Sequence, residues 1–142
     1  AQAYPVVREI AGDLTLESWA DFVRSMAADE GRIDWPRGII VADLEGYIRG
    51  MFTFHVMPDL HHGRTLVIGN FAVLAMVARK SLADSLLEAV HELARGHRCK
   101  AIHATVPPTS KWATAYFEDR GHAVEKLVLC QALDPPAPHP VA

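Results

Sequence analysis

The spacing of hydrophobic positions changes several times along the chain, and each change marks an element. Leu16, Trp19, Val23 and Met26 recur at intervals of three and four, the stripe of an amphipathic helix, so the spacing predicts a helix over residues 15 to 29. Thr15 offers an N-cap oxygen and Glu17 an acidic first turn, while Gly31 and Pro36 punctuate the exit. Ahead of this helix, "YPVVRE" at residues 4 to 9 reads as a short strand. Behind it, "RGIIVADLEGYIRGMFTFHVM" holds two strand-like runs on either side of "LEG", which predicts an antiparallel hairpin over residues 38 to 57 with "PDLHHGR" as a loop after it. "TLVIGNFAVL" is a third strand, expected beside the hairpin.

From Arg79 the period lengthens to that of a helix, with Leu82, Leu86, Val90 and Leu93 as its apolar stripe and Gly96 as its end. "CKAIHATV" is a strand with Ile102, Ala104 and Val106 on one face. "PPTS" stops it and supplies Thr109 or Ser110 as the N-cap of a helix through "KWATAYFEDR", closed at Gly121. A last strand is expected in "AVEKLVLCQAL". The strand–helix–strand unit over residues 65 to 106 implies a parallel pair inside a mixed sheet with helices on its faces. The class is therefore α/β, or mixed α+β, with one domain over residues 4 to 133 and a proline-rich tail over residues 134 to 142.

Composition narrows the function. A chain of 142 residues supports one hydrophobic core without disulfides. No apolar run reaches the roughly 18 residues of a membrane span, so no membrane partner is expected. A formal charge of −3 leaves no extended basic surface, which disfavours nucleic acid and confines positive charge to a local cluster at Arg79 and Lys80. Cys99 and Cys130 lie far apart in apolar contexts and read as buried thiols in a reducing, cytoplasmic setting. The adjacent pair His61 and His62 has no third ligand at a suitable spacing, so no metal is expected.

Two segments carry a resemblance. "IGNFAVLAMVARKSLADSLL" resembles the signature strand, turn and helix of the GNAT superfamily, with Asn70, Ala72, Val73, Leu86 and Leu87 matching in register. "SKWATAYFEDRGH" resembles that family's later helix through Ala113, Glu118 and Gly121, with Tyr116 and Phe117 as the aromatic pair. The resemblance implies a GNAT-like domain with a central mixed sheet of about six strands flanked by about three helices. It also implies a cleft between splayed strands that takes acetyl-CoA, or another acyl-CoA, as co-substrate.

In that family the pyrophosphate of coenzyme A sits on backbone amides at the start of a helix, where unpaired N–H groups and the helix dipole favour an anion. By register the turn falls on Ala78, Arg79, Lys80, Ser81, Leu82, Ala83 and Asp84. Ala78 stands where the family has an arginine or glutamine, and Ser81 and Ala83 replace its two glycines. Read from the residues alone, Ser81 is equally an N-cap of a solvated helix start. Phe71, Ala72 and Val73 would offer backbone groups to the acyl arm, Ser110 would meet the pantetheine, and Phe117 occupies the position of the family's tyrosine.

The family's carboxylate base falls at Gly69 and its tyrosine acid at Phe117, so neither usual side chain is present. Tyr116 is adjacent to the second position but turned by about a quarter of a helical turn. For a base, His55, His61, His62 and His103 are the candidates, because imidazole titrates near neutral pH. The resulting expectation is acyl transfer from an acyl-CoA to a primary amine of a small molecule or protein, by a monomer or homodimer. The alternative is a catalytically silent acyl-CoA sensor or partner-binding domain.

Overall fold

A computed structural model of the chain describes residues 2–8, 14–27, 35–44, 46–74 and 79–134. The chain begins with a helical turn α1 (Tyr4–Val7) and helix α2 (Leu16–Ala27), then forms strands β1 (Arg37–Leu44), β2 (Tyr47–Asp59) and β3 (Gly63–Val73). Helix α3 (Arg79–Gly96), strand β4 (Ala101–Ala104) and helix α4 (Lys111–Glu118) complete the order. The sheet runs β1-β2-β3-β4, antiparallel except for the parallel β3–β4 pair. No helix among the described residues is long and apolar enough to cross a membrane.

Alternation along the strands divides the sheet into two unlike faces. Phe52, Phe54, Val56, Leu66 and Ile68 point to one face and form the larger core with Leu82, Ala83, Leu86 and Val90 of α3 and Tyr116 and Phe117 of α4. Met51 and Ala72 point to the other, where Val6, Val7 and Trp19 cover them. α2 is capped as its sequence suggests, with the Ser18 amide donating to Thr15 Oγ1 at 3.1 Å. Its expected last residues, 28 and 29, lie outside the described residues.

Four expectations are corrected. The first strand is instead the helical turn α1: Pro5 lies at its start, where a fixed φ suits a first turn and the missing N–H costs nothing, and Val6 and Val7 are buried together. Glu9, the end of that expected strand, is outside the described residues. The loop "PDLHHGR" is a tight turn, because β2 runs on through Asp59, β3 starts at Gly63 with φ +76°, and Asp59 Oδ2 accepts the amides of His61 and His62. The strand expected over residues 99 to 106 shortens to β4, and its pairing stops before the two prolines.

The fourth correction is the last strand. Residues 123–133 pair with no strand, and Val124, Leu127, Val128, Leu129 and Leu133 are exposed, so the sheet has four strands among the described residues. Strand propensity is a preference for a pleated, half-buried surface, and apolar composition without such a surface does not make a strand. The same segment leaves Cys130 exposed, while Cys99 is half-buried and both thiols are free. α4, by contrast, ends as read: Gly121 has φ +89°, and the amides of Gly121 and His122 donate to the carbonyls of Glu118 and Phe117 in a Schellman turn.

Candidate active site

The β3–β4 pairing opens in the middle of β3. Residues Thr65 to Ile68 pair in register with Ala101 to Ala104, and the last bond across the gap is the Thr105 amide to the Ile68 carbonyl at 2.9 Å. Beyond it the chain after β4 turns at Pro107 and Pro108, whereas β3 continues to Val73 with β2 as its partner among the described strands. A β-bulge marks the parting. Met51 pairs with Ala72 but Thr53 with Gly69, so β3 carries one extra residue, and Asn70 there adopts φ +50°. Thr53 Oγ1 fixes the bulge by donating to the Gly69 carbonyl at 3.1 Å and accepting from Asn70 Nδ2 at 3.0 Å.

Helix α3 starts beside this opening. Its first residue is Arg79, so Ser81 lies inside the first turn and is not the N-cap. The amides of Arg79, Lys80 and Ser81 precede the first intrahelical bond of α3, while the amides of Ala83 and Asp84 have acceptors within the helix at Arg79 and Lys80. Leu82 and Ala83 are buried in the larger core, which leaves only backbone on the outer side of the turn at those positions. Ala78 lies outside the described residues.

Asp84 is turned away from the helix start. Its Oδ1 accepts the Tyr116 hydroxyl at 2.6 Å and Arg120 Nη2 at 2.7 Å, and these bonds, the tyrosine first, hold its carboxyl below the usual range against a smaller opposing effect of desolvation. Burial and the hydrogen bond to Asp84 push the Tyr116 phenol well above its ordinary value. The Arg120 guanidinium lies 3.9 Å from the centre of the Tyr116 ring, and Arg79 lies 5.0 Å from that of Trp112. Trp112 stacks on Tyr116, and Tyr116 on Phe71 of the bulge, at 5.3 and 6.0 Å between centroids. Phe117 meets Phe71 edge-on at 5.0 Å and is buried. Ser110 precedes α4 but caps nothing with its side chain, so its hydroxyl is not used in holding the helix.

Of the acid–base candidates, His55, His103 and Tyr116 are not brought to one point. Arg37, His55, Val67 and His103 form a single row across four strands, through the pairs Arg37 with His55, His55 with Val67 and Val67 with His103. His55 and His103 therefore share one face and flank Val67. Tyr116 lies on the other side of the sheet, in the α3–α4 core. Desolvation, and then the charge of Arg37, lower the His55 pKa below its ordinary value. His103 Nε2 faces Glu125 Oε2 at 3.3 Å, and its ring meets that of His62 edge-on at 5.4 Å.

Trp112, Arg120, Thr53 and Glu125 were not among the residues expected from the sequence. Trp112 and Arg120 recur with Tyr116 at intervals of four, a signal that could have grouped them on one side of α4. Thr53 and Glu125 carried no such signal, because strand pairing and the path of the chain after Gly121 bring them to their partners. A shallow depression lined by Ile40, Leu93, Gly96 and His97 lies at the far end of α3 and holds none of these groups.

No curated protein sequence matches the chain. A family model described as the acetyltransferase (GNAT) family matches residues 4–122. An aminoglycoside N-acetyltransferase solved in complex with CoA superposes with a TM-score of 0.75 at 10% identity, over 93% of this chain and 87% of that one. A ribosomal-protein-alanine N-acetyltransferase from Brucella melitensis biovar Abortus 2308 gives 0.72 at 14% identity, over 93% and 91%. Glucosamine-6-phosphate N-acetyltransferase from Arabidopsis thaliana gives 0.64 at 15% identity, over 94% and 90%. At these identities the likeness is one of fold.

Proposed function

The chain belongs to the acetyltransferase (GNAT) family, and from that premise we propose that it transfers an acetyl group from acetyl-CoA, or another acyl group from its acyl-CoA, to a primary amine of a small molecule or protein. The observation that carries this reading is the parting of β3 from β4 at the bulge, next to the start of α3. A strand edge without a ladder partner can accept the amides of a pantetheine arm as an added strand would. The first-turn amides of α3, with Arg79 and Lys80, suit the pyrophosphate. Asp84, one turn in, does not oppose the anion strongly, because Arg120 and Tyr116 engage its carboxylate.

In the reaction, the amine nitrogen attacks the thioester carbon, a C–N bond forms and the C–S bond breaks. A backbone N–H of the bulge is the natural donor to the oxygen that gains charge, since such a donor needs no particular side chain. The amine must lose a proton and the thiolate gain one. His55 is the better-suited base of the two histidines, for it shares a face with Gly69 two positions along β2 from Thr53, and its lowered pKa keeps the imidazole neutral near pH 7. His103 faces Glu125, and Tyr116 already donates its proton to Asp84, so Tyr116 acts as a positioning residue and the thiolate is protonated from water.

The engagement of the Tyr116 hydroxyl favours one second reading, a silent domain that binds acyl-CoA without turnover. Calorimetric titration with acetyl-CoA, paired with an assay of thiol release over a panel of amines, separates the two. Binding with amine-dependent thiol release is the expected result. Binding without release selects the silent domain, and absence of binding removes both.

A further inference from the structure

Four side chains from three parts of the sequence converge where the β2–β3 turn meets β4. Asp59 ends β2, His62 lies in the turn, His103 is on β4, and Glu125 comes from the segment after α4. Asp59, His62 and His103 each offer a ligand atom within 4.8 Å of the other two. Glu125 spans the two rings, with Oε1 at 2.7 Å from His62 Nε2 and Oε2 at 3.3 Å from His103 Nε2. His103 Nε2 is shielded from solvent and makes no hydrogen bond, because the approach of Glu125 is an ion-pair contact without hydrogen-bond geometry. A shielded ring nitrogen without a hydrogen bond calls for an explanation, and an ion is one of the few available.

We propose that Asp59, His62, His103 and Glu125 bind one divalent transition-metal ion of the zinc class. Two imidazole nitrogens and two carboxylates form a mixed N/O set that suits zinc and its first-row neighbours, whereas magnesium and calcium take oxygen. Ligand atoms on a tetrahedral zinc stand about 3.4 Å apart, so the present spread closes by about 1 Å of side-chain movement. The outer support is already in place. Asp59 Oδ2 accepts the amides of His61 and His62 at 3.0 and 2.9 Å, which fixes the carboxylate as a ligand needs.

Among the described residues Lys126 opposes a cation here, since its ammonium pairs with Asp59 Oδ1. Two carboxylates nevertheless face that single ammonium, which leaves the cluster an excess of negative charge for a cation. The ion would fasten the segment after α4 to the β2–β3 turn, where Glu125 and Lys126 already pair with His62, His103 and Asp59. Such a site is separate from the parting of β3 and β4 and needs no acyl-CoA.

The test is calorimetric titration of the full chain, free of any histidine tag, with Zn²⁺, and visible absorption after adding Co²⁺. The expected result is one ion per chain and the d–d bands of a low-symmetry cobalt site. His62→Asn and His103→Asn should each weaken Zn²⁺ binding at least about tenfold, while His91→Asn leaves it unchanged. Unaltered circular dichroism of the metal-free variants guards against loss of fold. Binding that His91→Asn weakens as much as His103→Asn overturns the proposal, as does absence of binding. It is equally overturned if Zn²⁺ binds only after Lys126→Met, which would mean that the lysine is the resident cation.

Discussion

Asp84 is poorly placed for an anion site by sequence and well placed by structure. A carboxylate in the second turn of α3 would oppose a phosphate at the helix start, but Tyr116 and Arg120 draw it toward α4 and compensate its charge. The same bond ties up the Tyr116 hydroxyl, so Tyr116→Phe separates positioning from proton donation. Losing a hydrogen bond to a partly exposed charge is expected to lower stability by about 1 kcal/mol in urea denaturation. Turnover should fall less than about threefold, whereas removal of a working general acid costs about a hundredfold or more. A large loss of kcat with unchanged stability would return the acid role to Tyr116.

Among the elements, the bulge in β3 decides where the sheet opens. Asn70 at φ +50° tolerates the left-handed region, and its amide anchors on Thr53. A β-branched residue there meets its own backbone, so Asn70→Val is expected to lower stability by about 1–2 kcal/mol and to weaken acetyl-CoA binding, while Asn70→Gly keeps the backbone at small cost. Equal melting temperatures for the two variants would remove the strain argument. The strand and the helices on either side of this bulge were legible because the hydrophobic period and the glycine signals at Gly96 and Gly121 agree, whereas the capping expected of Ser81 and Ser110 side chains is not used. The bulge itself was not legible, since register belongs to a pair of strands and one strand's sequence does not state it. "YPVVRE" misled because two valines suit a strand and a buried helical turn equally, and "KLVLCQAL" because propensity was present without a surface to cover. The four-sided cluster at Asp59 was hidden for the same kind of reason: His62 and His103 meet only once β3 and β4 pair.

At the scale of the molecule, the two faces of the sheet do different work. One is closed by α3 and α4 and carries the aromatic contacts from Trp112 to Phe71. On the other, among the described residues, α1 and α2 cover Met51 and Ala72, and the row from Arg37 through His55 to His103 is not part of that buried cluster. If His55 is the base, the pH dependence of kcat/KM reports its pKa in the free enzyme. Desolvation disfavours the imidazolium and Arg37, its neighbour on β1, adds like-charge repulsion, so protonation requires a pH below the ordinary 6.5. The acid limb of the profile should therefore lie below pH 6.5, with activity lost as pH falls through it. Arg37→Met removes the repulsion and should move that limb upward, toward the ordinary value, while His55→Asn should abolish it and lower kcat/KM by about a hundredfold. A limb that stays in place in Arg37→Met, or survives in His55→Asn, would assign the proton to another group.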